Sequence, residues 1–184
     1  VGGDIILTSN MVITKSYLTI DGGSAPSPGI TILAGDPTCF GIFFDNTPND
    51  IHDVIIHHMR ANGQIPGAIA SRNTCVNKGD IFSIDSDPSN SNPPHKVYNI
   101  IFDHITLIAS TDGSFDLIGD ISNVTISWSF LYDSYVSTLV RALSSNINGV
   151  SFHHNVFARN SERQIKVIVD VTADYVNNIV YGWN

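Results

Sequence analysis

Two adjacent histidines and an asparagine, His153-His154-Asn155, end eight residues ahead of Arg163 in the stretch Val150-SFHHNVFARNSER-Gln164. Paired imidazoles can hold a zinc-like metal, and a neutral histidine can serve as a general base. The same residues can equally form the wall of a core. A zinc centre would need a third and a fourth His or Cys converging on the pair, and none is indicated nearby. The choice among these roles depends on the elements that position the stretch.

Those elements repeat. Asn99-IIFDHITL, Asn123-VTISWSFL, Gly149-VSFHHNVF and Asp174-YVNNIVYG are similar strand-like segments, with an earlier copy at Asp53-VIIHHMRA. Phe102, Ile126, Phe152 and Val176 are expected in one column, separated by 24, 26 and 24 residues, with Ile56 as its earlier member. The longer gap from Ile56 to Phe102 accommodates an insertion that includes Pro88-SNSNPP-His95. A second apolar series, Asp80-IFSI, Phe115-DLIG, Thr138-LVRA and Lys166-VIVD, lies between the first. Short β-branched strands divided by Asn, Asp, Ser and Gly at this period predict an all-β solenoid. Stacked about 4.8 Å apart, the coils form a parallel β-helix. A β-sandwich has no reason to repeat one strand pattern at this spacing. Residues 1–184 read as a single such domain.

Strand alternation predicts Val150, Phe152, His154 and Val156 on one side and Ser151, His153 and Asn155 on the other. His154 is then expected in an internal stack with His58, His104, Trp128 and Asn178. On that reading HHN is scaffold.

Composition narrows the partners. Charged residues make up 14% and apolar residues 42% of the 184, which suits a folded chain. A net charge of −8 argues against nucleic acid, whose binding needs a basic face. It also means that an anionic substrate needs a bound cation or locally placed Arg and Lys. No apolar run reaches the length of a membrane span, so no membrane partner is expected. Cys39 and Cys75 allow one disulfide or two free thiols. The chain starts at Val1, as suits a processed or trimmed protein, and ends at Asn184 within a strand-like pattern. A solenoid needs a covered terminal coil, so terminal coils are expected from further sequence or from self-association.

The string Asn123-VTISWSF, then Gly149-VSFHHNVFARN and Arg163, resembles the pectate lyase family of right-handed parallel β-helices. Asp112-GSF-Asp116, Asn99-IIFDH and Asp174-YVNNIVYGW extend the resemblance in consistent order over roughly residues 50 to 184. Leu18-TIDGG resembles an entry coil. The resemblance implies a secreted, calcium-dependent enzyme that cleaves polygalacturonate by β-elimination. It implies Asp80, Asp112 and Asp116 as calcium ligands and Arg163 as the group that takes the proton from C5 of a galacturonate unit. Arg159 and Lys166 are candidate contacts to substrate carboxylates. Asp80 and Asp116 are expected to open equivalent strands of neighbouring coils, about one strand spacing apart. Close carboxylates suit a hard, oxygen-seeking ion. Arginine ordinarily keeps its proton, so a clamp on a substrate carboxylate is the competing role for Arg163.

The chain also departs from the family pattern. Val136 stands where a lysine is usual, Ile168 where a second arginine is usual, and Ile165 in place of a proline. Lys78 replaces an acid, and Ile101 a tryptophan. Lost cations weaken the hold on a polyanion, which keeps two other readings open. One is a β-helix that binds acidic polysaccharide without cutting it. The other is a glycoside hydrolase on the same scaffold, with Asp112 and Asp116 as acid and base.

Overall fold

A computed structural model describes residues 2–34, 41–44, 49–63, 79–86, 95–143 and 147–182. The described residues wind into coils of three short strands. The first coil holds β1 (Gly3–Ile6), β2 (Met11–Ile13) and β3 (Leu18–Asp21). The second holds β4 (Ile30–Leu33), β5 (Ile42–Phe44) and β6 (Ile51–His57). The third holds β7 (Arg60–Asn62), β8 (Phe82–Ser86) and β9 (Val97–Asp103). In the fourth come β10 (Thr106–Ile108), β11 (Phe115–Gly119) and β12 (Ile121–Ser127). The fifth has β13 (Phe130–Tyr132), β14 (Thr138–Arg141) and β15 (Ile147–His153). The sixth has β16 (Val156–Ala158), β17 (Lys166–Ile168) and β18 (Val171–Val176), and β19 (Ile179–Tyr181) begins the next.

Every third strand joins the same sheet. Sheet A runs β1-β4-β7-β10-β13-β16-β19, sheet B runs β2 to β17, and sheet C runs β3 to β18. All their pairings are parallel, and the crossovers are those of a right-handed parallel β-helix. Among the described residues no helix is long and apolar enough to cross a membrane.

Alternation sends every second side chain inward, and stacking puts like on like. Ile56, Phe102, Ile126 and Phe152 share one row of sheet C, each fully buried. Phe102 packs edge-on against Phe82 and Phe115, with ring centroids at 5.1 Å and 4.8 Å. The row then slips. Ile147 pairs with Val171 and Val150 with Ala173, so Phe152 meets Tyr175 and His153 meets Val176. The expected last member of the column, Val176, is therefore one place out, because β18 takes one residue fewer than β15 to cover this stretch.

The corners explain a second departure. The residue after each sheet C strand from β6 onward adopts a left-handed conformation: His58 (φ 55°), His104 (49°), Trp128 (49°), His154 (57°) and Asn177 (55°). A left-handed residue turns the chain and resets the alternation, so the residue after it points inward. His154 is thus exposed and Asn155 is buried. The stack His58–His104–Trp128–His154 does form, at centroid spacings of 4.9, 6.1 and 4.3 Å. It runs along the outside, with Trp128 55% exposed. The expected internal stack is external, and its sixth-coil member is Asn177 rather than Asn178.

The internal ladder is made of amides instead. Asn155 Oδ1 accepts from the Ser129 N–H at 2.9 Å, and its Nδ2 donates to the Ile126 carbonyl at 2.8 Å. Asn178 repeats both bonds one coil on, and Asn160 does the same at the next corner. Each amide satisfies one donor and one acceptor that the turn leaves without a ladder partner. Asn155→Ala is therefore expected to cost about 2–3 kcal/mol, since it leaves two buried backbone groups unmatched. His154→Ala should cost about 1 kcal/mol, the worth of one exposed aromatic contact. Urea melts of the two variants check the order, and equal losses would contradict the assignment of ladder and surface.

Candidate active corner between sheets A and B

In the fourth, fifth and sixth coils the chain leaves sheet A, turns, and enters sheet B, and these turns stack. The Asp80 carboxylate is buried, 5% exposed, and its Oδ1 accepts from the Gly113 N–H at 2.8 Å. Asp116, 8% exposed, points outward from β11 between the core residues Phe115 and Leu117. A side chain on Gly113 would collide with Asp116 Oδ1 and come within 3.1 Å of Asp80 Oδ1. Glycine is required there because the two carboxylates close around it. Asp112 lies half-buried on the same turn, its carbonyl accepting from the Val136 N–H.

The strand register corrects one expectation. Phe115 pairs with Phe82 and Asp116 with Ser83, so Asp80 lies level with Gly113 rather than with Asp116. The two aspartates meet because one reaches forward from the turn while the other stands on the strand.

The same turn carries the cations further along the axis. Ser114 N–H donates to the Ser137 carbonyl, Ser137 N–H to that of Glu162, and Thr138 N–H to that of Arg163. Arg163 is half-buried with φ 54°, two coils beyond Gly113, or about 10 Å along the axis. Lys166 shares an outward row of sheet B with Asp116, through Leu139. Arg159 sits at the sheet A end of the corner and holds Asp133 at 2.8 Å. Sequence reasoning passed over Arg141. It stands exposed on β14, directly beside Ile168, where the second arginine of the resemblance is missing. Aligning Thr138-LVRA with Lys166-VIVD would have shown it. Lys78, Cys39, Cys75 and most of the 88–95 insertion lie outside the described residues.

Sheet C bears a different surface. A shallow groove is lined by Asp53, Ile55, Asn99, Ile101, Asn123, Thr125 and Gly149. Asn123 donates to Asn99 and Asn99 to Asp53, each at 3.1 Å. The hydrogen bond with His52, then that from Asn99, holds the Asp53 carboxyl below its ordinary range. Asp103 on the same sheet is also held low. Burial works against this, but bonds from Ser127 and His104 and the nearby imidazole charges outweigh it. A depressed carboxyl contributes stability above its unfolded pKa and loses it as pH falls through the folded value. Asp103→Asn should therefore flatten the loss of stability below about pH 4 in an acid titration followed by circular dichroism. An unchanged acid limb would contradict this.

The fold defines the class first: a three-sheet right-handed parallel β-helix, with acids and cations in sequence along one stacked corner. No family model matches the chain, and no solved structure matches it. Curated fungal relatives do. The chain is 28% identical over 183 residues to the "Probable pectate lyase C" of Aspergillus flavus, covering 100% of the chain and 36% of that protein. Proteins of the same name from Aspergillus fumigatus and Aspergillus terreus are each 26% identical, over 98% and 100% of the chain. The chain thus spans 36% of the length of these relatives. Along its whole length the chain is similar to these proteins.

Proposed function

We propose that the chain is the β-helical unit of a calcium-dependent polysaccharide lyase, acting outside the cell on polygalacturonate by β-elimination. The observation that carries this is the closure of Asp80 and Asp116 around Gly113, with Arg163 two coils along the same corner. The relatives' name, pectate lyase, agrees with an acidic polysaccharide as substrate. The donor set fits calcium: oxygen-only, anionic, and opened by a residue without a side chain. Asp80 and Asp116 would hold the ion, with Asp112 on the same turn but not converging with them within ligand distance. The ion's positive charge would make the C5–H next to a uronate carboxylate more acidic.

Arg163, which must be in its neutral form to accept it, is assigned the C5 proton. Its removal leaves an electron pair that forms the C4=C5 double bond as the C4–O bond breaks. The departing oxygen takes a proton from water. Lys166 and Arg159 hold substrate carboxylates and restore part of what Val136 and Ile168 do not provide. Residues 1–184 act here as one unit.

A non-cutting binding module is the second reading, favoured by the amide-lined groove on sheet C. Mass analysis of polygalacturonate after incubation separates the readings. Oligomers with one unsaturated end each are expected. Saturated oligomers would mean hydrolysis, and intact polymer retained on the protein would mean binding alone; either overturns the proposal.

A further inference from the structure

A second cluster of ligating side chains lies away from the A–B corner, where sheet C turns toward sheet A. Asp21 ends β3 of the first coil, His57 ends β6 of the second, and the two are register partners. His57 Nδ1 lies 2.7 Å from His58 Nδ1 and 3.6 Å from Asp21 Oδ1. One ligand atom from each of the three residues falls within 4.8 Å of the others. We propose that Asp21, His57 and His58 form a binding site for a borderline divalent cation of the zinc type, separate from the calcium site proposed above.

The donor set decides the class of ion. Two imidazoles and one carboxylate suit zinc, whereas calcium takes oxygen ligands. A tetrahedral site with bonds of about 2.0 Å needs ligand atoms about 3.3 Å apart. The 2.7 Å and 3.6 Å separations bracket that edge and the third lies within 4.8 Å, so side-chain rotations bring the three atoms to it. Two groups are already oriented. The Gly23 N–H bonds Asp21 Oδ1 at 2.7 Å, and the His58 ring lies flat on His104 at 4.9 Å with planes 9° apart. The ion would take the place of the proton between the two Nδ1 atoms, and water would complete its shell.

The chain supplies its own control. His153 and His154 make the same paired corner, with Nδ1 atoms 3.0 Å apart. The register partners of His153 are Ser127 and Val176, neither a carboxylate. Asp103, the other partner of His57, is already taken up by Ser127 and His104. The third ligand is therefore specific to the first corner. Because Asp21 and His57 belong to different coils, an ion between them ties the first coil, whose strands are largely exposed, to the second.

Calorimetric titration of chelator-stripped protein with zinc chloride, in the presence of excess calcium, tests the site, with melting followed on the same samples. One ion per chain and a raised melting temperature are expected. Asp21→Asn and His57→Ala should each weaken binding by at least about tenfold and abolish the rise, while His153→Ala leaves both intact. These substitutions are at the surface, and circular dichroism verifies that each variant is folded. No binding to the wild-type protein, binding unchanged in Asp21→Asn, or equal loss in His153→Ala would overturn the proposal. None of these readouts depends on lyase activity.

Discussion

Arg163→Lys is expected to remove most of the turnover on polygalacturonate, roughly a hundredfold or more, while the protein melts almost as the wild type does. Arg163 sits on a turn, half-buried, and its backbone carbonyl accepts from the Thr138 N–H whatever the side chain. Among the described residues no hydrogen bond or ion pair ties the guanidinium to the core. A compact ammonium cannot reproduce its planar fork of donors, nor reach the same point at the reacting carbon. Rate and melting temperature should be recorded on the same folded samples. Near-normal turnover would leave Arg163 as a bystander, and a large fall in melting temperature would make it structural.

Phe102→Ala should be the most destabilising of the substitutions considered, by about 3–5 kcal/mol. Phe102 is fully buried in the middle coils and touches the rings of Phe44, Phe82 and Phe115. Those rings come from sheet B in three successive coils, so the void would lie where the stack has no freedom to collapse. The equivalent truncation at Tyr175, 38% exposed in the sixth coil, should cost far less. Denaturant melts of the pair measure the difference, and comparable losses would contradict a core centred on the Phe102 row.

The spacing of Ile56, Phe102, Ile126 and Phe152 was legible in the sequence because a solenoid stacks equivalent residues, and the structure keeps those four in register. Two things were not legible. Strict alternation placed His154 inside and Asn155 outside, because a single left-handed residue at a corner leaves no mark in a hydrophobic pattern. Asn, Asp and His recur at such positions here, since they tolerate positive φ better than most side chains. The slip to Tyr175 was equally hidden, as it turns on one residue within β18. For the candidate corner, motifs pointed to Asp80 and Asp116, but not to the glycine between them. Gly113 matters through the side chain it lacks, and only the approach of the two carboxylates reveals that. Arg141 was missed because its significance comes from the strand beside it.

The calcium dependence of product formation tests the central claim most directly. Initial rates are read in the ultraviolet band of the conjugated, unsaturated product, over a range of calcium concentrations, for the wild type and Asp116→Asn. The account predicts no rise in chelator, full recovery when calcium is restored, and at least about tenfold more calcium needed by Asp116→Asn, which loses one anionic oxygen ligand. A rise that persists in chelator, or the same calcium curve for both proteins, would contradict it.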